Sequence, residues 1–448
     1  MLSVLLKGVH PRLRQRHLAC ILLLGSSMLG PGSHAQQALS LDQALRLAQD
    51  RSRQLTAQDA VARSSRDMAV AAGQLPDPVL KAGINNLPIN GEDRFSLTRD
   101  FMTMRSVGLM QEFTRSDKLK ARSARFDREA EVAESGRAVV LTNLRRETTM
   151  AWLDRYYQER ILEVLRTQRA EAGLQIEATD AAYRGGLGTQ TDVFAARSGV
   201  AQIDDRIQQT ERQIGSAKIK LTRWIGEPAS QSLAPPPNLA QVRLEPTSLD
   251  SQLAHHPEIA LMAKQEEVAQ ADVDIAQSNK RSDWSVELML SQRGPAYSNM
   301  VSVNVSIPLQ WDQKNRQDRE VAAKLAIVEQ MRAQREEATR EHVAESRVWL
   351  QEWQSDRDRV AHFESTLVPL AAERTRAAMA AYRGGSGQLT AVLEARRMEI
   401  DTRMDLLRLE MEAASLWAQL EYLLPVDHTA TAEGLKPSQA ATSTATEK

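Results

Sequence analysis

One phrase of this chain occurs twice. "AAYRGGLGTQTDVFAAR" begins at Ala181 and "AAYRGGSGQLTAVLEAR" begins at Ala380, so Tyr183, Gly185, Gly186, Gly188 and Thr191 recur as Tyr382, Gly384, Gly385, Gly387 and Thr390. A match of that length within one sequence marks an internal duplication, and it limits the chain to folds built from two like halves. The duplication reaches further: "SLDQAL" from Ser40 is echoed by "SLDSQL" from Ser248, each placing a serine where a helix would be capped. Two halves follow, 36–225 and 249–425, joined by the proline-bearing stretch 226–248.

Within each half the helical lengths are informative. Between Ser116 and Ala182 there is no proline, and the only glycines are Gly136 and Gly173. Those residues make about 100 Å of helix at 1.5 Å per residue. Shorter helical stretches, 41–73 and 190–225, flank it. The second half repeats the plan, with a long stretch over 314–382 between shorter ones over 249–280 and 388–424. Two short helices laid end to end match one long helix, and the glycine turns at 183–189 and 382–388 are the hairpin tips where the long helix reverses. The composition agrees, with 4% aromatic residues against 26% charged ones, as in proteins dominated by long helices.

Four short segments break the helical pattern. "MVSVNVSIPLQ" sets Val301, Val303, Val305, Ile307 and Leu309 against Ser302, Asn304, Ser306 and Gln310, and "WSVELMLS" sets Trp284, Val286, Leu288 and Leu290 against Ser285, Glu287, Met289 and Ser291. "PVLKAGIN" and "RSVGLMQEF" are weaker versions in the first half. Strands are expected at about 78–85, 105–113, 284–291 and 300–310. Strands apolar on one side and polar on the other are the material of transmembrane β-barrels. Four cannot close a barrel, and lipid tolerates no open edge. Strands in a membrane would therefore require several copies of the chain to share one barrel. The alternative is an ordinary half-buried sheet in a soluble coiled-coil scaffold or adaptor.

The ends read differently from the middle. Lys7, Arg12, Arg14 and Arg16, the apolar run Leu18–Leu29 and Ser33-His34-Ala35 compose a signal peptide over residues 1–35, cleaved before Gln36. Cys20 lies inside the apolar run, so no lipidation site is read there, and the mature chain would hold no cysteine. No later segment is apolar enough for a membrane-spanning helix. The Ala/Thr-rich residues 426–448 read as a disordered tail. A net charge of −1 gives no electrostatic footprint for nucleic acid.

Taken together, the duplication, the strand pairs and the tip motifs "YRGGLGTQTDVFAAR" and "YRGGSGQLTAVLEAR" resemble the outer membrane factor family, the TolC-like efflux ducts of Gram-negative bacteria. "LPDPVLKAGINNLPI" and "DFMTMRSVGLMQEF" are most like its heavy-metal efflux branch, the CzcC- and CusC-like proteins. The resemblance implies a mainly α fold with a small β part. In it a long antiparallel helical barrel would join a twelve-stranded transmembrane β-barrel to which each of three protomers gives four strands. It further implies a homotrimer in outer-membrane lipid, whose tunnel extends into the periplasm. The partners implied are a periplasmic adaptor and, through it, an inner-membrane RND pump. Cargo stays open between metal cations, drugs and secreted proteins.

On that resemblance the tips are docking surface for the adaptor: Tyr183, Arg184, Gly185, Gly186, Leu187, Gly188 and Thr189 in the first half, and Tyr382, Arg383, Gly384, Gly385, Ser386, Gly387 and Gln388 in the second. The glycines also have a purely local reading, because a helix that reverses within a few residues needs backbone that only glycine adopts freely. Asp192, Tyr382 and Glu394 match gate positions of the family. Threefold rings of carboxylate in a narrow pore would favour cations, whereas carboxylates near a helix start are ordinary dipole partners. An arginine of the family's gate network is matched here by Gly387, and Arg184 and Arg383 are the nearby substitutes.

No metal site is read from spacing. His255, His256, His342, His362 and His428 form no ligand-spaced cluster, and His255-His256 before Pro257 read as capping or solvated residues. Met102, Met104 and Met110 are candidates for soft copper or silver ions, against a plain packing role. No nucleophile elbow, phosphate loop or zinc-protease motif occurs, so neither an enzyme nor a cofactor is expected.

Overall fold

The structure, a computed structural model, describes residues 38–244, 249–253 and 255–424. The signal peptide and tail expected from the sequence, Cys20, His428 and the linker residues 245–248 lie outside the described residues.

The chain is mainly helical with one small sheet. Its elements run α1 (Leu41–Arg51), α2 (Arg53–Ala72), β1 (Val79–Asn85), β2 (Met104–Phe113), α3 (Ser116–Arg184) and α4 (Gln190–Ile225) in the first half. The second half holds α5 (Leu249–Leu253), α6 (Pro257–Ser278), β3 (Trp284–Gln292), β4 (Met300–Ser306), α7 (Gln317–His362), α8 (Val368–Arg383) and α9 (Leu389–Glu421). Helix α3 is 69 residues long, and α2 and α4 both pack along it. Helix α6 lies between α3 and α7, and α9 packs on α3, α7 and α8.

The first helical stretch of each half is broken, where the sequence suggested one continuous helix. Ser52 ends α1 and caps α2, its Oγ accepting the Leu55 N–H at 3.3 Å. At the matching place His256 caps α6 and Pro257 occupies its first turn, a position where the missing N–H of proline costs nothing. Helix α1 itself opens with a full capping box between Ser40 and Gln43. The second long helix is also interrupted: residues Phe363–Leu367 form a π turn between α7 and α8. Pro369, in the first turn of α8, has no N–H for the regular ladder, and an i→i+5 turn accommodates it.

Most of the apolar core lies in the middle of the bundle. Trp152, Leu153, Ile161 and Leu165 of α3 pack with Leu221 and Ile225 of α4 and with Ala414, Trp417 and Leu420 of α9. The connection after α4 is tied onto this core. The Trp152 indole donates to the Leu39 carbonyl at 3.3 Å, and the Trp417 indole donates to the Gln241 carbonyl at 2.8 Å. Leu39 pairs with Leu233 in a parallel bridge. Arg155, whose side chain is 2% exposed, donates to the Ala229 carbonyl at 2.5 Å and the Gln231 carbonyl at 2.7 Å, and pairs with Glu159 at 2.8 Å.

The strands form one antiparallel sheet in the order β1-β2-β3-β4, so the two halves meet at the β2–β3 pair. Registers place Leu80, Leu109, Leu288 and Val303 in one row, and Ala82, Val107, Leu290 and Val301 in the next, all on one face. The opposite face carries the row Lys81, Gly108, Met289, Ser302 and the row Val79, Met110, Glu287, Asn304. Gly108 is required by the seam: a Cβ there would sit 2.9 Å from the Leu288 carbonyl oxygen. Strand β4 ends at Ser306, because Pro308 has no N–H to continue the ladder.

Candidate functional site

Two regions carry the functional reading, the helical tips and the sheet. At the first tip, α3 ends in a Schellman arrangement. Gly186 N–H donates to the Tyr183 carbonyl at 3.0 Å and Leu187 N–H donates to the Ala182 carbonyl at 2.9 Å. The second tip reproduces it, Gly385 donating to Tyr382 at 3.1 Å and Ser386 to Ala381 at 3.0 Å. The three glycines of each tip do different work. Gly186 and Gly385 have φ of +72° and +71°, the left-handed region that penalises a Cβ. Gly188 and Gly387 allow close approach, since a Cβ would stand 3.3 and 3.0 Å from the backbone nitrogens of Tyr183 and Tyr382. Gly185 and Gly384, at φ −81° and −79°, require neither freedom, so positive φ accounts for one glycine in each tip rather than all three.

The tip side chains differ between the halves. Leu187 is 89% exposed and makes none of the apolar contact that commonly accompanies this turn. Its counterpart is Ser386, whose hydroxyl donates back to the Ala381 carbonyl at 3.2 Å. Arg184 pairs with Asp180 one turn back on its own helix. Tyr183 is exposed, and Tyr382 is half-buried.

Asp192 sits in the local role. Its carboxylate accepts from the Thr189 N–H at 3.0 Å and from the Thr189 hydroxyl at 2.7 Å, while its own N–H donates to Thr189 Oγ1 at 3.2 Å. The Thr189 hydroxyl and then the Thr189 N–H hold its pKa below the ordinary carboxylate value. The second tip has Gln388 at the cap with no side-chain bond to the helix backbone and Ala391 at the matching third position, so of the two tips only the first has a capping box. Glu394 is exposed and lines a groove of about 370 Å³ with Gly199, Ile203, Arg206 and Ile400, between α4 and α9.

The sheet's apolar face is exposed along its length: Leu80 is 72% exposed, Leu290 61% and Val303 65%. Aromatic residues stand at both ends. Phe113 stacks on Trp284 at 4.4 Å beside the helices, where Trp311 is also exposed. Phe95, Phe101 and Tyr297 lie in the connections at the far end. On the opposite face Lys81 reaches Glu287 at 3.0 Å, and Met104, Met110, Met289 and Met300 share that face. Met102 lies just outside β2, its N–H bound by Asp100 at 2.8 Å. No helix among the described residues is long and apolar enough to cross a membrane.

One grouping is invisible in the sequence. His256 and His342 are far apart in the chain, yet their rings face each other at 4.4 Å, and Glu258 lies 3.0 Å from His342 Nε2. His256 is buried, its Nδ1 accepting the Glu258 N–H at 3.3 Å. Burial, then the neighbouring His342, lowers its pKa to about 4. Of the two roles read from the sequence, His256 takes the capping one and exposed His255 the solvated one. No ligand-spaced cluster exists along the chain, and helix packing, rather than spacing, assembles this one. His255, next in sequence, is exposed.

Residues 249–424 match the family model described as Outer membrane efflux protein. No curated protein matches the chain in sequence. Among solved structures, the outer membrane protein VceC of Vibrio cholerae is 18% identical with a TM-score of 0.69, over 86% of this chain and 95% of that one. CusC, studied for the conformational changes that accompany folding and transmembrane channel formation, is 16% identical with a TM-score of 0.72 over 86% and 92%. The open state of the Neisseria gonorrhoeae MtrE outer membrane channel is 15% identical with a TM-score of 0.65 over 86% and 88%. The fold of the chain is thus the outer-membrane channel fold, and the second half carries the family's sequence pattern.

Proposed function

We propose that the chain is the outer-membrane exit duct of a tripartite efflux system, assembled as a homotrimer and exporting heavy-metal cations. The observation that carries the duct is the sheet. It has an exposed apolar face, aromatic residues at both ends, a polar opposite face and two open edges, β1 and β4. An open edge cannot rest in lipid, and further copies of the same sheet satisfy both edges by closing a barrel around the polar face. The helices then continue that barrel as a tunnel into the periplasm, and the cargo passes through water, with no chemistry asked of the protein.

In this reading the tips meet a periplasmic adaptor coupled to an inner-membrane RND pump. Leu187, unspent in its own turn, gives the first tip an apolar anchor that Ser386 does not supply in the second. Tyr382 and Glu394 remain gate candidates, while the Asp192 carboxylate is shared with a helix cap. The metal cargo is supported by Met104, Met110, Met289 and Met300 on the polar face of the sheet, since thioethers suit soft ions.

The test is growth of a deletion strain on copper, silver, zinc, cobalt, cadmium and common drugs, combined with membrane fractionation. Metal hypersensitivity rescued by the intact gene, with the protein in the outer membrane as a trimer, is the expected result. Sensitivity to drugs alone would sink the cargo assignment. A monomer in the periplasmic fraction would sink the duct and favour a soluble scaffold.

A further inference from the structure

We propose that His256, Glu258 and His342 form a binding site for a borderline divalent transition ion such as Zn²⁺ or Co²⁺, which staples the start of α6 to α7. One ligand atom from each residue falls within 4.8 Å of the others. The pair already in contact, His342 Nε2 and Glu258 Oε2 at 3.0 Å, is close to the separation of about 3.3 Å expected for two ligands bound at 2.0–2.1 Å in a tetrahedron. A modest turn of the His256 ring brings in the third ligand.

Three further features favour an ion over a bare hydrogen-bonded cluster. The remaining nitrogen of His342, Nδ1, faces the Glu345 carboxylate at 3.9 Å. That separation is too long for a hydrogen bond, but a small shift of the Glu345 side chain would supply the carboxylate–histidine support that orients metal-binding imidazoles. The rings of His256 and His342 face one another, an arrangement that two imidazolium ions would resist but that neutral rings, the form that binds a metal through an in-plane nitrogen, allow. Access is open on one side: the Glu258 side chain is 43% exposed, and that of His342 21%. Arg146 of α3 is a cation that acts on His256 from the bundle, and Glu147 lies beside it at 3.6 Å.

Two imidazoles with one carboxylate select zinc-like ions over calcium or magnesium, which demand oxygen. The three protein ligands leave a fourth position for water. Coordination displaces whatever proton His342 and Glu258 share. It also exchanges the 3.3 Å bond between His256 Nδ1 and the Glu258 N–H for a bond to the ion. The ion thus replaces a weak helix cap by a cross-link to a neighbouring helix.

The experiment is cobalt(II) titration of the detergent-purified full-length protein, followed by absorbance, with zinc chloride as competitor. The expected result is one cobalt per chain with the intense visible bands of four-coordinate geometry, bleached by zinc. H342Q and H256Q should each weaken uptake by more than the roughly 10–100-fold that loss of a supporting carboxylate costs. E345Q should fall within that range, and H255Q should match the wild type. Helix content by circular dichroism separates a lost ligand from a lost fold. Zinc should also raise the melting temperature of the wild type but not of H342Q. A wild-type chain that takes up no stoichiometric cobalt overturns the proposal, as does an H256Q/H342Q variant that retains wild-type uptake. Neither result touches the duct reading, which rests on the sheet.

Discussion

Replacement of Arg155 by methionine should loosen the connection between the two halves while leaving the long helices intact. Methionine fills much of the same volume but donates nothing. The Ala229 carbonyl lies under a residue with no exposed surface, so its loss of a charge-assisted hydrogen bond is uncompensated and costs about 1.5–3 kcal/mol. Gln231 is half-buried, and water can replace part of its bond, leaving about 1 kcal/mol. Glu159, a third exposed, returns to solvent and adds little. The sum is about 2.5–4 kcal/mol. The assay is limited proteolysis under native conditions, which reads local opening of residues 226–244, together with the melting temperature. R155K keeps the charge and one of the two carbonyl bonds, so it should recover about half of the loss. An R155M chain cleaved at the wild-type rate, within about 1 kcal/mol of wild-type stability, would refute the claim that this arginine fastens the connection.

Other predictions are narrower. Gly186→Val should cost about 1–2 kcal/mol from its φ of +72°, whereas Gly185→Ala, at φ −81°, should be within about 0.5 kcal/mol of wild type; paired melting curves decide it. Gly108→Leu should abolish the heat-modifiable assembled band on gels, because its Cβ meets the Leu288 carbonyl oxygen at 2.9 Å; a normal band would contradict the seam geometry. Burial, then Glu364, raises the pKa of Glu410 above the ordinary carboxylate value. A raised carboxylate contributes stability that is complete below the unfolded pKa and is lost as pH rises through the folded one. Glu410→Gln should therefore be neutral or worse near pH 4 but stabilising near pH 7, and equal melting temperatures for the two proteins at both pH values would disprove it.

The sequence carried the architecture where periodicity is long. The glycine turns, the long helices and the alternation of Val301, Val303 and Val305 were all legible, because each repeats a physical period many times. Single-residue events were not. The helix break at Ser52 depends on one capping bond and leaves the surrounding apolar pattern undisturbed, whereas the one at His256 was signalled in part by Pro257. The π turn before Pro369 follows from where the ladder can be repaired, a choice made by packing. Asp192 suits either a gate or a helix cap by sequence, and only the folded tip places its carboxylate on Thr189. The pairing of His256 with His342 had no local signal, since α6 and α7 bring together side chains separated by a strand pair. Arg155 was equally hidden, being one arginine among many in a charged helix.

The β2–β3 seam has a consequence for how the molecule comes into being. Phe113 opposite Trp284 and Arg105 opposite Gln292 join segments made far apart in time on the ribosome. The first hairpin, β1–β2, is finished long before its neighbour exists, and during that interval its outward valines and leucines have no sheet to belong to. Pairing so distant in sequence is slow to form, and exposed strands are prone to aggregate meanwhile. The seam thus makes the four-stranded unit a late product, available only after the chain has been made through β4.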